Sequence, residues 1–515
     1  MKPAESAVNR TNRSSSATIV VLCLAAAKVV FHLATAGRYG IFRDELYYLA
    51  CSEHLDWGYV DQPPLIAFVA WIARHLFGDS LFALRFIPAL AGGATVWLAA
   101  KFAAELGGGA FARITAAVSV IAVPVYLIIH HWLTMNAWEP LIWLACAWCV
   151  ARAINRNDPI YLIWLGVVFG IGIENKYTTA FLCFGLMIGL IATQHRRLLV
   201  SRQFWIGAAI AFAIFLPNLI WLIRHDFPFL ELMHNIRKTH RDVVRGPVAF
   251  VFDQIALMNP AVAPLWIAGL ICLAIGHRGK YRIFAVTYVV VLGVFIVLHG
   301  KNYYVAPIYP MLLGAGAVCF ERITGSRTKW LRPVYVLAIC ASIVVIAPTV
   351  SPLLSPEDAI VYQKRIGLES PKSENQSTGP LPQYFADEFG WEDMAREVAK
   401  VYQSLPPDER DRTAIFANGY GQASAIDFFG PRFGLPKAIC NHQTYWLWGP
   451  RNYDGSTAIV LGSDGRGDRE HFRSVEVAGR VSHPYSRRDE HFDIFLCRGL
   501  MEDLRQLWPR IKKWN

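Results

Sequence analysis

The sequence predicts a polytopic α-helical membrane protein with a C-terminal α/β domain. Of the 515 residues, 54% are hydrophobic and 17% are charged, whereas an average soluble protein has about 25% charged residues. Apolar runs recur through the first two-thirds of the chain, each near the ~20 residues that a helix needs to cross a bilayer. The last third has the composition of a soluble domain. The net charge of +11 comes largely from short basic loops between the apolar runs, which argues against nucleic-acid binding.

We expect eleven or more transmembrane helices, because eleven apolar segments are long enough to span. These segments are 17–36, 81–104, 112–130, 133–152, 159–174, 177–194, 204–223, 259–276, 282–299, 303–320 and 333–350. Residues 63–77 are apolar but too short to span comfortably, and they begin with paired prolines. Because proline suits a helix N-terminus, we predict a helix there that lies along the outer membrane surface.

Basic residues set the expected orientation. When the N-terminus is placed in the cytoplasm, every loop on that side carries Lys or Arg, as the positive-inside rule requires. The acidic loop 38–62 then faces out. We predict a cytoplasmic tail (1–16), a transmembrane domain (17–350), a linker (351–382) and an extracytoplasmic α/β domain (383–515). Loop 224–258 is the exception, because it is basic although it faces outward, and an anionic ligand would explain this.

The C-terminal third alternates helix-like and strand-like stretches, which is typical of an α/β domain. The helix-like stretches are 391–403 and the segment GYGQASAIDFFG, which Gly430 closes. The strand-like stretches are 413–417, 456–462 and 491–497. Cys440 and Cys497 are the only cysteines here, and a disulfide between them stays open. The other cysteines lie mostly in apolar runs, as small buried hydrophobes do.

The acidic first loop is the main candidate site, since carboxylates beside a membrane are costly to desolvate. It contains Asp44 and Glu45, and then Asp61. A partly buried carboxylate could act as a general base or bind a divalent cation. The alternative is a structural role, as a helix N-cap or an ion pair with Arg43.

Cationic residues elsewhere on the predicted outer side could hold a phosphate. Lys176, preceded by Glu174, either snorkels to the interface or binds a ligand. Lys301 begins a Lys-Asn-Tyr-Tyr stretch that fits an aromatic belt or a phosphate site. The remaining candidates in these stretches are Tyr303, Tyr304, Arg237, Arg241 and, as possible metal ligands, His234 and His240.

Two nucleotide-binding signatures are absent from the sequence. It contains neither the GxxxxGK[ST] phosphate loop nor an Asp-x-Asp motif. Because the candidate polar groups all face out, a cytoplasmic nucleotide is beyond their reach. A sugar donor used there must itself cross the membrane, as a polyprenyl-phosphate sugar does.

The order of these motifs resembles a known family. Arg-Asp-Glu at 43–45, YVDQPPL at 59–65, a lysine after the fifth span, and KNYY followed by PIYP at 301–310 are similar to the GT-C membrane glycosyltransferases. The group resembled is glycosyltransferase family 39, whose relatives include protein O-mannosyltransferases and the aminoarabinose transferases that modify lipid A. The resemblance covers roughly residues 20–350. The stretch NGYGQASAIDFFG, followed by YWLWGP, also resembles the outer domain of uncharacterised bacterial members.

The resemblance implies an enzyme of the bacterial inner membrane that moves a sugar from a polyprenyl phosphate to an envelope acceptor, with inversion. The acceptor would be lipid A or lipopolysaccharide, a glycan, or a protein. Asp44 matches the catalytic aspartate and Glu45 its acidic neighbour. Asp61 matches a second acidic position near the metal or the lipid phosphate, but Gln62 stands where the aminoarabinose transferases have a lysine. Lys301 and Tyr304 match positions that hold the donor phosphate. A divalent cation is the one cofactor that we consider.

The expected mechanism is a one-step displacement in which Asp44 takes the proton of the acceptor hydroxyl. Lys301 would meet the charge of the leaving phosphate, with Lys176 and the Arg237–Arg241 cluster behind it. This requires Asp44 and Lys301 to meet over a lipid-wide groove. The alternative is a transporter of lipids or lipid-linked glycans without chemistry. Transporters place polar groups at the bilayer midplane, whereas most spans here are apolar at mid-depth.

Overall fold

The computed structural model describes residues 3–367, 374, 375, 377 and 379–515. By its internal contacts the chain divides into two compact units, each built from three separate stretches. The first unit comprises Met1–Gly37, Leu76–Ile220 and Val244–Leu353, and the second comprises Arg38–His75, Trp221–Val243 and Leu354–Asn515. The division of the sequence into four consecutive segments stays a prediction.

Helices occupy most of the chain before residue 351. They are α1 Pro3–Thr35, α2 Arg43–Glu53, α3 Leu65–Phe77, α4 Leu81–Glu105, α5 Ala110–Ile121, α6 Pro124–Ile129, α7 Glu139–Arg156, α8 Ile160–Asn175, α9 Thr179–Ile191, α10 Arg202–Arg224, α11 Pro228–Lys238, α12 Pro247–Leu257, α13 Ala263–Ile275, α14 Arg282–Val297, α15 Tyr309–Ile323 and α16 Leu331–Val350.

Shorter helices and five strands make up the rest. They are α17 Pro356–Arg365, α18 Gln383–Ala386, α19 Trp391–Ser404, α20 Pro407–Arg410, β1 Thr413–Ala417, α21 Tyr420–Phe429, β2 Ile439–Cys440, α22 Thr444–Leu447, β3 Thr457–Leu461, α23 Asp468–His471, β4 Phe472–Val481, β5 Phe492–Leu500 and α24 Leu504–Leu507.

Six helices among the described residues are long and apolar enough to cross a membrane. They are α1, α4, α7 together with the 3₁₀ turn before it (Met135–Arg156), α10, α15 together with the 3₁₀ helix before it (Asn302–Ile323) and α16, and seven shorter apolar helices accompany them. On α16, large side chains such as Leu337 and Val344 are 69% and 74% exposed, which suits a surface solvated by lipid. The predicted count of eleven or more spans stays a prediction. The predicted span 112–130 is broken, because α5 ends at Ile121 and Pro124 begins α6.

Close helix contacts in the first unit depend on glycine. A Cβ added at Gly316 of α15 would clash with the carbonyl oxygen of Leu265 in α13, and one at Gly269 would clash with the carbonyl oxygen of Leu312. Small residues let membrane helices approach in this way, since apolar burial alone does not drive helices together in lipid. Cys272 and Cys319, interpreted from sequence as buried hydrophobes, form a disulfide across the same helix pair.

A polar cluster lies buried within the first unit, and three of its residues, Lys28, His32 and Arg85, come from the predicted apolar spans 17–36 and 81–104. The side chains of Lys28, His32, Arg85, His130 and His131 are each at most 2% exposed. Arg85 Nη1 lies 2.9 Å from His131 Nε2. Neither ring nitrogen of His32 has a hydrogen-bond partner in the part of the chain that the structure describes.

The second unit is held together by apolar contacts among its three stretches. Leu232 and Ile236 of α11 pack with Val60 and Trp514. In a separate cluster, the Tyr39 ring lies 5.1 Å from that of Phe385. The acidic first loop is therefore part of the same folded body as the C-terminal sheet.

The sheet of the second unit has the strand order β2-β1-β3-β5-β4. Strands β2, β1 and β3 run parallel, with Ile415 opposite Ile459, and β5 is antiparallel to both β3 and β4. Strands β1, β3 and β5 and helices α19 and α21 lie where the sequence predicts them. Strands β2 and β4 were not predicted.

The disulfide that the sequence left open is absent, because Cys440 and Cys497 are both free and buried. Cys440 lies on β2 and Cys497 on β5, with β1 and β3 between them. Three strand spacings separate the two by about 14 Å, whereas a disulfide requires Cα atoms within roughly 7 Å.

Candidate active site

The first turn of α2 presents Asp44. Helix α2 begins directly after the extended residue Phe42, and the Glu45 carboxylate accepts a hydrogen bond from the Phe42 backbone N–H at 2.9 Å. Glu45 is fully buried and thus satisfies a donor at the helix start. Of the two alternatives predicted for the pair, the N-cap is Phe42 and not an acidic residue, whereas the ion pair with Arg43 forms at Asp44. Asp44 is 30% exposed and open to solvent.

One oxygen of Asp44 is held by a residue far away in sequence but within the same unit. The Tyr420 hydroxyl, at the start of α21, donates to Asp44 Oδ1 at 2.8 Å, and Arg43 Nε lies 3.5 Å from the same oxygen. Within the part of the chain that the structure describes, both polar contacts go to Oδ1. Oδ2 is therefore the oxygen that can take a proton.

Arg43 belongs to a buried charge network. Its guanidinium lies 3.8 Å from Asp387 Oδ1 and 3.9 Å from Glu374 Oε2, and Arg487 approaches the same Asp387 oxygen at 3.3 Å. Burial raises the pKa of Asp387 to about 6, although the charges of Arg43 and Arg487 oppose the rise. Buried charges persist when they are paired in this way, so the network fixes Arg43 beside Asp44.

Asp61 ends a chain of hydrogen bonds. The Val60 backbone N–H donates to Thr444 Oγ1 at 3.1 Å, Thr444 Oγ1 lies 2.7 Å from the Tyr47 hydroxyl, and that hydroxyl lies 2.8 Å from Asp61 Oδ1. Because the Tyr47 proton goes to the carboxylate, Thr444 donates to Tyr47. Burial raises the pKa of Asp61 to about 6; the Tyr47 hydrogen bond opposes this, and the charge of Asp44 adds to it.

A cavity of about 350 Å³ adjoins Tyr420 in the second unit. Burial, together with the charge of Lys513, lowers the pKa of His442 in its wall to about 3, so this ring is neutral. Three cationic side chains but only one carboxylate side chain line the cavity, which suits an anionic group. The lining residues are Arg43, Thr239, His240, Arg241, Glu374, Asn375, Tyr420, His442, Lys513 and Asn515.

The basic residues predicted in loop 224–258 separate into two groups. Arg241 and His240 line the cavity, and Arg241 Nη1 donates to the Asn515 carbonyl at 2.8 Å. His234 and Arg237 are exposed on α11, as residues on the solvated face of an amphipathic helix are. Among the described residues no three His, Cys, Asp or Glu side chains are grouped to hold a metal.

In the first unit the structure brings Lys176 and Tyr304 together. Lys176 is 8% exposed, and its Nζ lies 4.4 Å from the centre of the Tyr304 ring. The same Nζ lies 2.8 Å from Glu139 Oε2 and 2.7 Å from Asn136 Oδ1. Lys176 is thus buried and paired and does not snorkel to an interface. Glu174, also predicted, is 8% exposed nearby in sequence, at the end of α8.

Lys301 and Tyr303 lie at the start of a short 3₁₀ helix, Asn302–Ile308, and are half-buried. The Tyr303 ring lies 4.9 Å from that of Tyr304. Lys301 belongs to the first unit and Asp44 to the second. The predicted meeting of Lys301 with Asp44 joins the two units and stays a prediction.

The sequence analysis missed Tyr420, Thr444 and Glu139. Tyr420 directly follows β1 in an Asn-Gly-Tyr-Gly turn, and the carboxyl ends of parallel strands are frequent ligand sites. This position after a strand could have marked Tyr420 as a candidate site residue. Glu139 was detectable as a carboxylate beside Pro140 within an apolar run. Thr444 carries no signal of its own.

Comparisons with known proteins agree with the fold. Residues 61–221 match the family model described as dolichyl-phosphate-mannose-protein mannosyltransferase. A curated relative, the lipid A galacturonosyltransferase RgtD of Rhizobium johnstonii, is 27% identical over 187 residues, which are 36% of this chain and 39% of that protein. The alignment therefore spans well under half of the relative's length.

Two solved structures are similar over most of the chain. ArnT from Cupriavidus metallidurans bound to undecaprenyl phosphate has a TM-score of 0.62 at 13% identity, over 92% of this chain and 97% of its own. The Archaeoglobus fulgidus oligosaccharyltransferase in complex with Zn and sulfate has a TM-score of 0.51 at 12% identity, over 88% and 68%. At such identities the likeness shows the fold. The resemblance inferred from the sequence is therefore confirmed: the chain is a membrane protein with the fold of the GT-C glycosyltransferases.

Proposed function

We propose that the protein is an inverting glycosyltransferase that moves a sugar from a polyprenyl-phosphate donor to an envelope acceptor. The reaction takes place on the outer side of the bacterial inner membrane. The observation that supports this most directly is Asp44, a partly exposed carboxylate whose Oδ1 is held by Tyr420 at 2.8 Å. The names of the similar proteins support the substrates, since ArnT is bound to undecaprenyl phosphate and RgtD acts on lipid A.

The chemistry is a single displacement. Asp44 Oδ2 takes the proton of the acceptor hydroxyl as the new bond forms between that oxygen and the anomeric carbon. The bond from the anomeric carbon to the phosphate oxygen breaks on the opposite side, and the polyprenyl phosphate leaves with its electron pair. One displacement inverts the anomeric centre. General-base catalysis of this kind contributes roughly 100- to 10,000-fold.

The leaving phosphate needs a fixed cation. In the first unit Lys301 is our first candidate. Lys176 is the weaker one, because Glu139 at 2.8 Å already neutralises its charge. No step is assigned to a metal, since the described residues offer no group of three ligands.

The acceptor in this proposal carries an anionic group. The cavity beside Tyr420 has Arg43, Arg241 and Lys513 in its wall against the single carboxylate side chain of Glu374. This excess of cations favours a phosphate- or carboxylate-bearing glycolipid such as lipid A over a neutral acceptor.

The test is transfer from polyprenyl-phosphate sugars in proteoliposomes. Asp44→Asn should lower the rate at least 100-fold, in line with the loss of a general base. Asp226→Asn is the matched control, because this carboxylate is exposed in the same unit and asparagine tolerates its left-handed backbone (φ 57°), and its rate should be unchanged. A transfer rate near that of the wild type in Asp44→Asn would contradict the assignment of Asp44 as the general base. Mass spectrometry of envelope lipids and glycans from a deletion strain would identify the sugar and the acceptor.

A further inference from the structure

The α/β part of the second unit contains another cavity, of about 450 Å³. It runs along one face of the parallel strands β1 and β3 and reaches the residues that follow the carboxyl ends of β1, β2 and β3, namely Asn418, Asn441 and Gly462. Ligands of open α/β sheets bind at the carboxyl ends of the strands, because the loops that follow the strands converge there. The volume is within the range of small-molecule sites.

The floor of this cavity is one face of the sheet. Phe416 of β1, Ile439 of β2 and Val460 of β3 line it, and Leu504 and Leu507 of α24 line it as well. A flat, mostly aliphatic floor of this kind suits the C–H face of a sugar ring.

The rim of the cavity is polar and rich in hydrogen-bond acceptors. Asn441 follows β2, Asp464 follows β3, and Asp468 begins α23. Asn441 is only 8% exposed, yet its Oδ1 has no hydrogen-bond partner within the described residues, and neither has Asp468 Oδ2. Buried polar atoms are almost always satisfied, so these two oxygens are suited to a ligand that donates.

The charges at the rim exclude some classes of ligand. Asp464 and Asp468 repel a phosphate or carboxylate. Lys513 also lines the cavity, so a single ammonium stands against two carboxylates there. An acyl chain would leave both unpartnered oxygens unsatisfied. What remains is a ligand with hydroxyl or amino donors and an apolar face.

We propose that this cavity is a carbohydrate-binding site that takes a neutral or amino sugar residue of an envelope glycan. Its ring lies on the sheet floor formed by Phe416, Ile439 and Val460, and its hydroxyl or amino groups donate to Asn441 Oδ1 and Asp468 Oδ2. The site performs no chemistry. This site is separate from the proposed transfer reaction, because sugar binding here requires neither the donor lipid nor Asp44.

The experiment measures sugar binding to the full-length protein in phospholipid nanodiscs, which avoids glycoside detergents. Saturation-transfer NMR is recorded with methyl α-mannoside, methyl β-galactoside, N-acetylglucosamine and glucosamine. We expect at least one of them to bind with a millimolar Kd. Asp468→Ala should weaken that binding at least tenfold, and so should Asn441→Leu, because each removes an accepting oxygen. Glu470→Gln, a neighbouring exposed carboxylate outside the cavity lining, should leave the Kd within twofold.

Asp44→Asn separates this site from the transfer reaction, and it should bind sugar as the wild type does. Should Asn441→Leu fail to fold, Asp468→Ala decides. Absence of saturation transfer from all four sugars would overturn the proposal, and so would an unchanged Kd in Asp468→Ala.

Discussion

Asp61 is kept in a position that costs stability, and its replacement by asparagine should make the protein more stable. Burial raises the pKa of Asp61 from 3.8 to about 6. Each pKa unit corresponds to about 1.4 kcal/mol, so ionised Asp61 lowers the free energy of unfolding by roughly 3 kcal/mol. The amide of the Asp61→Asn variant would still accept the hydrogen bond of Tyr47 through its oxygen and would carry no charge to desolvate.

The sign of the pH dependence follows from the direction of the shift. Between pH 4 and 6 the folded protein holds a proton on Asp61 that the unfolded chain has lost. Wild-type stability therefore falls as the pH rises through this window, and the loss is complete above it. The difference in Tm between Asp61→Asn and wild type should be close to zero at pH 4, grow up to about pH 6.5, and stay constant above that.

Thermal unfolding of both proteins in the same detergent, followed from pH 4 to 8, measures this difference. Glu53→Gln is the contrasting control. Partial burial alone would raise the pKa of Glu53, but Lys437 at 2.6 Å and Arg74 at 3.0 Å lower it below its usual value. Its charge therefore adds to stability at neutral pH, so Glu53→Gln should lower Tm at pH 7.5. The reasoning would be refuted if Asp61→Asn were no more stable than wild type at pH 7.5. It would also be refuted if the gain in Tm over wild type were as large at pH 4 as at pH 7.5.

Two further predictions concern contacts that only the structure shows, between Tyr420 and Asp44 and between Lys176 and Glu139. Tyr420→Phe removes the hydroxyl bonded to Asp44, and because hydrogen bonds to charged groups contribute about 1.5–3 kcal/mol, its kcat should fall roughly 10- to 100-fold. Tyr402→Phe on α19 is the control and should keep the wild-type kcat. An unchanged kcat in Tyr420→Phe would contradict the positioning role of Tyr420. Lys176→Met leaves Glu139 buried without its ion pair and should lower Tm sharply. The double variant Lys176→Met/Glu139→Leu should recover most of that loss. If the double variant is as unstable as the single one, the broken ion pair is not the cause of the lowered Tm.

Elements with a strong local pattern could be predicted from the sequence. The apolar runs that became α1, α4 and α16 stand out by length alone, and β1 and β3 are short apolar runs between turn residues. Strand β4 was not predicted because it lies at the sheet edge and most of its side chains are polar or exposed. Its sequence therefore lacks the alternation of apolar and polar residues that indicates a strand. The break between α5 and α6 had a local signal in Pro124, which the hydropathy of the whole run obscured.

The candidate site could be predicted only in part. Asp44 and Asp61 were recognisable because carboxylates between apolar runs are conspicuous. Tyr420 and Thr444 were not, since their partners lie 376 and 397 residues away in sequence and nothing local marks such pairs. The separate roles of Asp44 and Glu45 also needed coordinates, because only the direction of each side chain shows which carboxylate closes the helix and which faces solvent.

The construction of the second unit from three distant stretches has a consequence for biosynthesis. Asp44 leaves the ribosome 376 residues before the tyrosine that holds it. At 5–20 residues per second this is a delay of roughly 20–75 s. During that interval the charges around Arg43 have no permanent partners, and the nascent loop must be kept in water or held by a chaperone. Truncation anywhere upstream of Tyr420 would therefore yield an inserted protein in which the proposed active site is not assembled.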